Sequence, residues 1–290
     1  MSRKVIITCA LVGSATRKEQ NPAVPYTPRE IAEEAYLAWK AGAAMVHVHS
    51  REDDGTNSTR VERIRETHDA IREKCPDLIV NLTSALGAGA TYEQRMEQIE
   101  KIKPEMASLN MATMNFAAVN RKTGEILGDY TFENRLDKVA KFARLMLNNG
   151  VKPELECYSI AGLENFYYLQ NSGIFTDPVN FNFVWGVCGG ASFRPGTFVD
   201  MVNALPPKAN FTACGVGIQE WPAITQSLIC GGHVRVGLED NIRMPDGSIA
   251  KGNFELVENA VKLVEAMGFR VATPDEAREI LGSKKSEEVA

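Results

Sequence analysis

The chain has 290 residues, 44% hydrophobic and 24% charged, with 23 glycines and 13 prolines, an average globular composition that excludes disorder, collagen and a disulfide scaffold. Its 32 basic and 37 acidic residues leave a net charge of −5, so no global field draws it toward nucleic acid or an anionic membrane. The length suits two ordinary domains or one α/β barrel of roughly 250 residues with additions.

The first apolar run, Val5 to Val12, is too short to span a bilayer and lacks a small-residue cleavage site. It reads as a strand rather than a signal, and the protein is expected in the cytoplasm. Further strands are expected at 44–49, 78–83, 106–110, 154–159, 180–187, 210–215 and 234–238. Amphipathic stretches fall between them, near 28–41, 60–74, 91–102, 131–149, 161–171, 195–204, 221–230 and 253–267. Alternation of this kind means βα units and a parallel sheet, and eight repeats predict a single (β/α)8 TIM barrel over 1–290.

In the first helix Thr27 can cap, Pro28 suits the first turn, Glu30 completes a capping box and Gly42 can end it. One connection, Phe116 to Tyr130, is unusually long and carries the turn signal Asn120 to Gly124; following the fourth strand, it is expected to lie over the barrel mouth. A short helical extension follows Pro274, and the charged tail at 283–290 is expected to fray. The six cysteines are scattered without a C-x-x-C pair, which argues against disulfides and a thiolate zinc site.

In a parallel barrel the chemistry sits at the carboxyl ends of the strands. The second strand ends in His47, Val48 and His49, and a period of two turns both imidazoles to one face, where they can bind one metal ion. His68 lies within a helical run and His233 precedes the eighth strand, so a third ligand must be a carboxylate. Glu239, just past the eighth strand, is placed for it. Such a set leaves an open position and suits zinc or non-haem iron.

Asp240 follows at once and Arg235 lies on the same strand, so Asp240 reads as a base held by a guanidinium. Glu154, Glu156 and Tyr158 alternate into the barrel, with Glu156 nearer the mouth. Thr83, Ser84, Ser108 and Asn110 close the third and fourth strands and offer hydrogen bonds to a substrate. The paired glycines lack the full dinucleotide fingerprint and a phosphate-loop lysine. Trp185 and Trp221 read as packing residues first.

The patterns Ile6 to Gly13, Thr27 with Pro28, His47 to His49, Arg51 to Gly55, Lys103 to Asn110, Pro153 to Glu156, Gly189 with Gly190, Gly231 to Arg235, Gly237 to Asn241 and Ala272 to Pro274 recur together over nearly the whole chain. With them the sequence resembles the β-keto acid cleavage enzymes. The resemblance implies a zinc-dependent homotetramer, one Zn2+ per subunit, that takes a β-keto acid and acetyl-CoA and yields acetoacetate and a new acyl-CoA. It also implies His47, His49 and Glu239 as metal ligands, Arg235 and Asp240 as the deprotonating pair, and Thr83, Ser108 and Glu156 around the substrate. Where family members that act on an amino-bearing acid place a glutamate, this chain has Ala15. A neutral, hydrophobic or differently charged acid is therefore expected, unless Glu19 or Glu220 restores the charge. Trp185 keeps a quaternary ammonium open through a cation–π contact. The competing readings are a metal-dependent hydrolase, disfavoured by only four histidines, and a barrel that binds metal and keto acid without catalysis.

Overall fold

A computed structural model describes residues 2–120 and 122–285. Eight parallel strands close into a barrel: Ile7–Val12, Met45–Val48, Ile79–Leu82, Met106–Asn110, Lys152–Cys157, Asn180–Trp185, Asn210–Gly215 and His233–Val236, with the eighth pairing back onto the first. These are called the first to eighth strands below. Helices Pro28–Ala41, Val61–Lys74, Tyr92–Ile102, Leu136–Asn148, Ile160–Leu169, Pro195–Asn203, Glu220–Ile229 and Asn253–Ala266 return the chain outside.

Strand alternation divides the molecule into two chemistries. One parity, with Cys9, Val46, Val80, Leu109, Leu155, Phe183 and Val234, packs against the helices as the main apolar core. The other parity fills the barrel, and on it lie Thr8, His47, Asn81, Glu154, Glu156 and Arg235, all buried. Polar groups inside a closed barrel must be paired or they destabilise it; Asn81 Nδ2 accordingly donates to Glu154 Oε2 at 2.7 Å. At the amino end the interior turns apolar. Ile6, Met45, Ile79 and Met106 meet Ala277 and Leu281 of the last helix, Pro274–Leu281, which plugs that end.

The expected capping box is present on the first helix: Thr27 Oγ1 accepts from Glu30 N at 3.1 Å, and Glu30 Oε2 accepts from Thr27 N at 3.0 Å. Two segments differ from expectation. The first apolar run is broken at Ile6: Lys4–Val5 pairs with Arg270–Val271 in a separate two-stranded sheet, because the C-terminal extension covers this end of the chain. The long connection after the fourth strand is an antiparallel hairpin, Met114–Val119 with Ile126–Phe132. Asn120 O accepts from Gly124 N at 2.8 Å and Gly124 has φ 76°, so the turn residues close a hairpin, not a loose loop. The next helix consequently starts at Leu136 instead of near 131. At the C-terminus Ser283 Oγ donates to Glu105 Oε1 at 2.7 Å and Lys285 pairs with Asp77 at 3.0 Å; the rest of the expected frayed tail, 286–290, lies outside the described residues. All six cysteines are free.

Candidate active site

At the carboxyl end of the barrel, neighbouring strands bring together groups far apart in sequence. His47 and His49 project from the second strand with ring centroids 5.5 Å apart. Glu239 Oε1 lies 3.8 Å from His47 Nε2 and 3.6 Å from His49 Nε2, and one donor atom from each of the three falls within 4.8 Å of the others. Glu239 Oε2 is buried without a protein partner. Burial pushes the His47 imidazole well below its ordinary pKa, keeping it neutral, the form that ligates a cation. For Glu239, burial would raise the pKa, but the Arg235 guanidinium outweighs it and holds the carboxyl well below the usual range. Two imidazole nitrogens and an ionised carboxylate with a spare oxygen fit a divalent cation with open positions.

Two glycines make this convergence possible. A Cβ on Gly13 would land on the Glu239 side chain, and one on Gly237, where φ is 143°, would land on the Ala10 backbone. Gly237 thus lets the chain leave the eighth strand tightly against the first and turn Glu239 back over the mouth.

Arg235 organises the acids. Its Nε donates to Asp240 Oδ2 at 2.8 Å and its Nη2 to Asp240 Oδ1 at 3.0 Å, a two-point grip. The same Nη2 donates to Glu239 Oε1 at 2.7 Å, and Nη1 to Glu156 Oε1 at 3.3 Å. Burial pushes Asp240 up to about 6 despite Arg235, and Glu156 up to about 8 by the same balance. Glu154 lies deeper, bonded to Asn81, its carboxyl raised by burial.

His47, His49, Glu156, Arg235, Glu239, Asp240, Thr83 and Ala15 all face one cavity of about 520 Å³. Ser84, Ser108 and Asn110 are not among its lining residues. They bond one another behind the wall: Ser108 Oγ accepts from Ser84 N at 3.0 Å and Ser84 Oγ from Asn110 Nδ2 at 3.4 Å. Neither substitute acid suggested for Ala15 lines the cavity. Glu19 is exposed, and Glu220 is fully buried, accepting from Asn241 Nδ2 at 2.9 Å. Trp185, 1% exposed, stacks on Phe198 at 5.3 Å in the outer core. His68 bonds Asp69, and His233 Nδ1 accepts from Ile6 N at 3.1 Å at the far end of the barrel.

Sequence reasoning passed over Arg51 as a contributor and, while it put the connection after the fourth strand over the mouth, did not name the side chains it supplies. Arg51, fully buried, donates to the carbonyls of Gly13, Gly55 and Thr16, clamping the loop that carries Ser14 and Ala15. The signal was an arginine two residues beyond the second histidine. The hairpin supplies Phe116, Ala118, Tyr130 and Phe132 to the cavity wall; aromatic residues on either side of the Asn120 to Gly124 turn were the available sign.

A (β/α)8 barrel with a histidine–carboxylate centre at its carboxyl rim is the class of enzyme that this geometry defines. A family model for β-keto acid cleavage enzymes matches residues 4–282, and the chain belongs to that family. It is 43% identical over 282 residues to the 3-keto-5-aminohexanoate cleavage enzyme of Acetoanaerobium sticklandii, covering 97% of this chain and 99% of that one. It is 35% identical to the 3-dehydrocarnitine:acetyl-CoA trimethylamine transferase of Rhizobium meliloti, covering 96% of each chain. Among solved structures, apo ObcA superposes with a TM-score of 0.77 at 21% identity, covering 90% of this chain and 66% of that one, which shares the fold. No helix among the described residues is long and apolar enough to cross a membrane.

Proposed function

We propose that the protein exchanges acyl groups between a 3-keto acid and acetyl-CoA, releasing acetoacetate and the acyl-CoA of the acid's remaining carbons. The observation that carries this reading is the two-point grip of Arg235 on Asp240 beside the His47, His49 and Glu239 set. Family membership and the acetyl-CoA named in several relatives support it. Zinc is the proposed cation, held by His47, His49 and Glu239; bound there, it supplies Lewis acidity that stabilises negative charge on the keto oxygen.

The chain's own residues perform the rest. Asp240, fixed by Arg235, takes a proton from C2 of the acid. The resulting carbanion attacks the thioester carbonyl and expels the CoA thiolate, forming the new C–C bond. The thiolate adds to the acid's original C3 carbonyl, the bond between that carbon and C2 breaks, and C2 recovers its proton from Asp240. Arg235 stays charged throughout and compensates whichever of its carboxylates is ionised. Glu156, raised by burial, can hold a proton toward the acid's oxygens.

A hydrolase would need further imidazoles at the rim, whereas His68 and His233 are placed elsewhere. We extend the proposal to a cytoplasmic homotetramer, which sedimentation tests. The reaction is tested by incubating the purified protein with acetyl-CoA and a set of 3-keto acids. New acyl-CoA species, identified by mass and strictly dependent on acetyl-CoA, are expected; release of free acid without acyl-CoA would sink the proposal.

A further inference from the structure

Every Asp, Glu, Arg and His side chain in the cavity wall belongs to the centre already described: His47, His49, Glu156, Arg235, Glu239 and Asp240. Among the described residues, the remaining wall contains no Asp, Glu, Lys or Arg. Its outer part is built by the hairpin, where Phe116 lies 5.4 Å from Tyr130 and 6.2 Å from Phe132, by Val187 beside the Cys188 that bridges to Ala117 of the hairpin, and by Val216 and Ile218.

A substrate tail bearing a charge would meet no counter-charge there. An ammonium is further opposed by Arg95, whose guanidinium sits 5.2 Å from the Phe132 ring centroid. Arg95 is buried and donates to three uncharged acceptors, the carbonyls of Ser84 and Glu133 and the amide oxygen of Asn134. Among the described residues it makes no direct ion pair, the Glu133 carboxylate being held by Lys138, so its positive charge stands behind the aromatic wall, and that ring already faces a cation. A carboxylate tail finds no partner on the wall either: Arg235 is committed to three carboxylates, and Arg95 lies behind the Phe132 ring with its donors spent on Ser84, Glu133 and Asn134. Burying an unpaired charge is unfavourable, whereas an apolar tail gains from the same wall.

A second cavity of about 570 Å³ shares Val216, Gly217, Ile218 and Asp240 with the first. A second approach to Asp240 therefore exists that does not run along the hairpin.

We propose that the preferred 3-keto acid carries an uncharged, apolar substituent beyond its keto carbon, seated against the Met114–Phe132 hairpin. The inference rests on the reaction proposed above, and it separates this chain from relatives whose names specify an amino or quaternary-ammonium substrate.

The test compares four 3-keto acids of similar length, ending in methyl, ammonium, trimethylammonium or carboxylate. Two readouts are taken with the full chain: kcat/KM with acetyl-CoA, and calorimetric binding of each acid without it. The methyl-ended acid is expected to exceed each charged one by about 100-fold in kcat/KM, the scale on which a site rejects a group it cannot pair, and to bind first. A charged acid that matches or outranks it in binding overturns the proposal, whatever the turnover. The methyl-ended acid binding first with no acyl-CoA formed from any acid would instead sink the reaction while upholding the tail preference. Ala118, exposed on the hairpin, provides the second arm. Ala118→Glu is expected to raise the ammonium-to-methyl ratio at least about tenfold, one favourable charge contact; an unchanged ratio removes the tail from the hairpin.

Discussion

Arg235 and Arg278 are both buried among carboxylates in one barrel, at opposite ends and in opposite arrangements. Arg278, on the last helix, donates from Nε and Nη2 to Glu105, with Ser283 Oγ completing the carboxylate's partners. That guanidinium faces one buried acid, with its Nη1 turned to the exposed Asp275 at 3.0 Å, and it lines neither of the two cavities described above. Arg235 instead serves Asp240, Glu239 and Glu156 together, so fewer positive charges than carboxylates are available and burial pushes two of the acids upward. A balanced pair locks an end of the barrel. The crowded one keeps carboxylates able to exchange protons and, through Glu239 Oε2, a lone pair without a partner.

The sharpest way to break that contrast is at Asp240. Asp240→Asn keeps the shape and can still accept from Arg235, so bound zinc by elemental analysis and the melting temperature should stay close to wild type. Turnover should fall roughly 1000-fold, the scale of a lost general base. Activity within a few-fold of wild type would take the base role from Asp240. At the other end, Arg278→Ala leaves Glu105 buried with Ser283 and no cation. A destabilisation of about 3 to 5 kcal/mol is expected from denaturant melts, with kcat per folded molecule unchanged. A matching loss of kcat would show that the two ends are coupled.

The parity of each strand could be read from sequence, because a residue type that alternates apolar and polar at period two fixes which side meets the helices. His47, His49 and Glu156 are therefore legible as barrel-facing in the sequence, whereas Arg235 is legible only as a residue of the strand that leads to Asp240. What the pattern did not contain was depth and aim. Ser84 and Ser108 stand at strand ends just as Thr83 does, yet they are spent on each other's hydrogen bonds. Glu154 and Glu156 share a face; their order along the strand already put Glu156 nearer the mouth, but not that Arg235 meets it there while Asn81 takes Glu154. The connection's place over the mouth was legible, but its hairpin form was not, because its strands are half exposed and no buried periodicity marks them.

Gly13 offers a smaller test of the crowded end. Its φ is not in the left-handed region, so alanine would be tolerated by the backbone and would act only by pressing on the Glu239 side chain. Gly13→Ala should weaken zinc about 10- to 100-fold against a competing chelator, the usual cost of disturbing a ligand's support, and should raise the chelator sensitivity of turnover in parallel. Wild-type affinity in that variant would mean that Glu239 does not need its present path across the first strand.

The smallest effect is expected where an ion pair faces water. Glu30 accepts from Lys18 Nζ at 2.7 Å and from the backbone N–H groups of Tyr26 and Thr27. Partial burial pushes its carboxyl up, but these bonds outweigh that and bring it down to about 2. A depressed acid stabilises the fold fully above its unfolded pKa of about 4.3 and loses that contribution as pH falls toward the folded value. Because both side chains are more than a third exposed, the contribution after screening is on the order of 0.5 kcal/mol. The stability gap between wild type and Glu30→Gln should therefore close as pH is lowered from 5 to 2 in denaturant melts. A gap that held constant would assign the effect to packing of the capping box, and a gap as large as that for Arg278→Ala would erase the distinction between buried and exposed pairs drawn above.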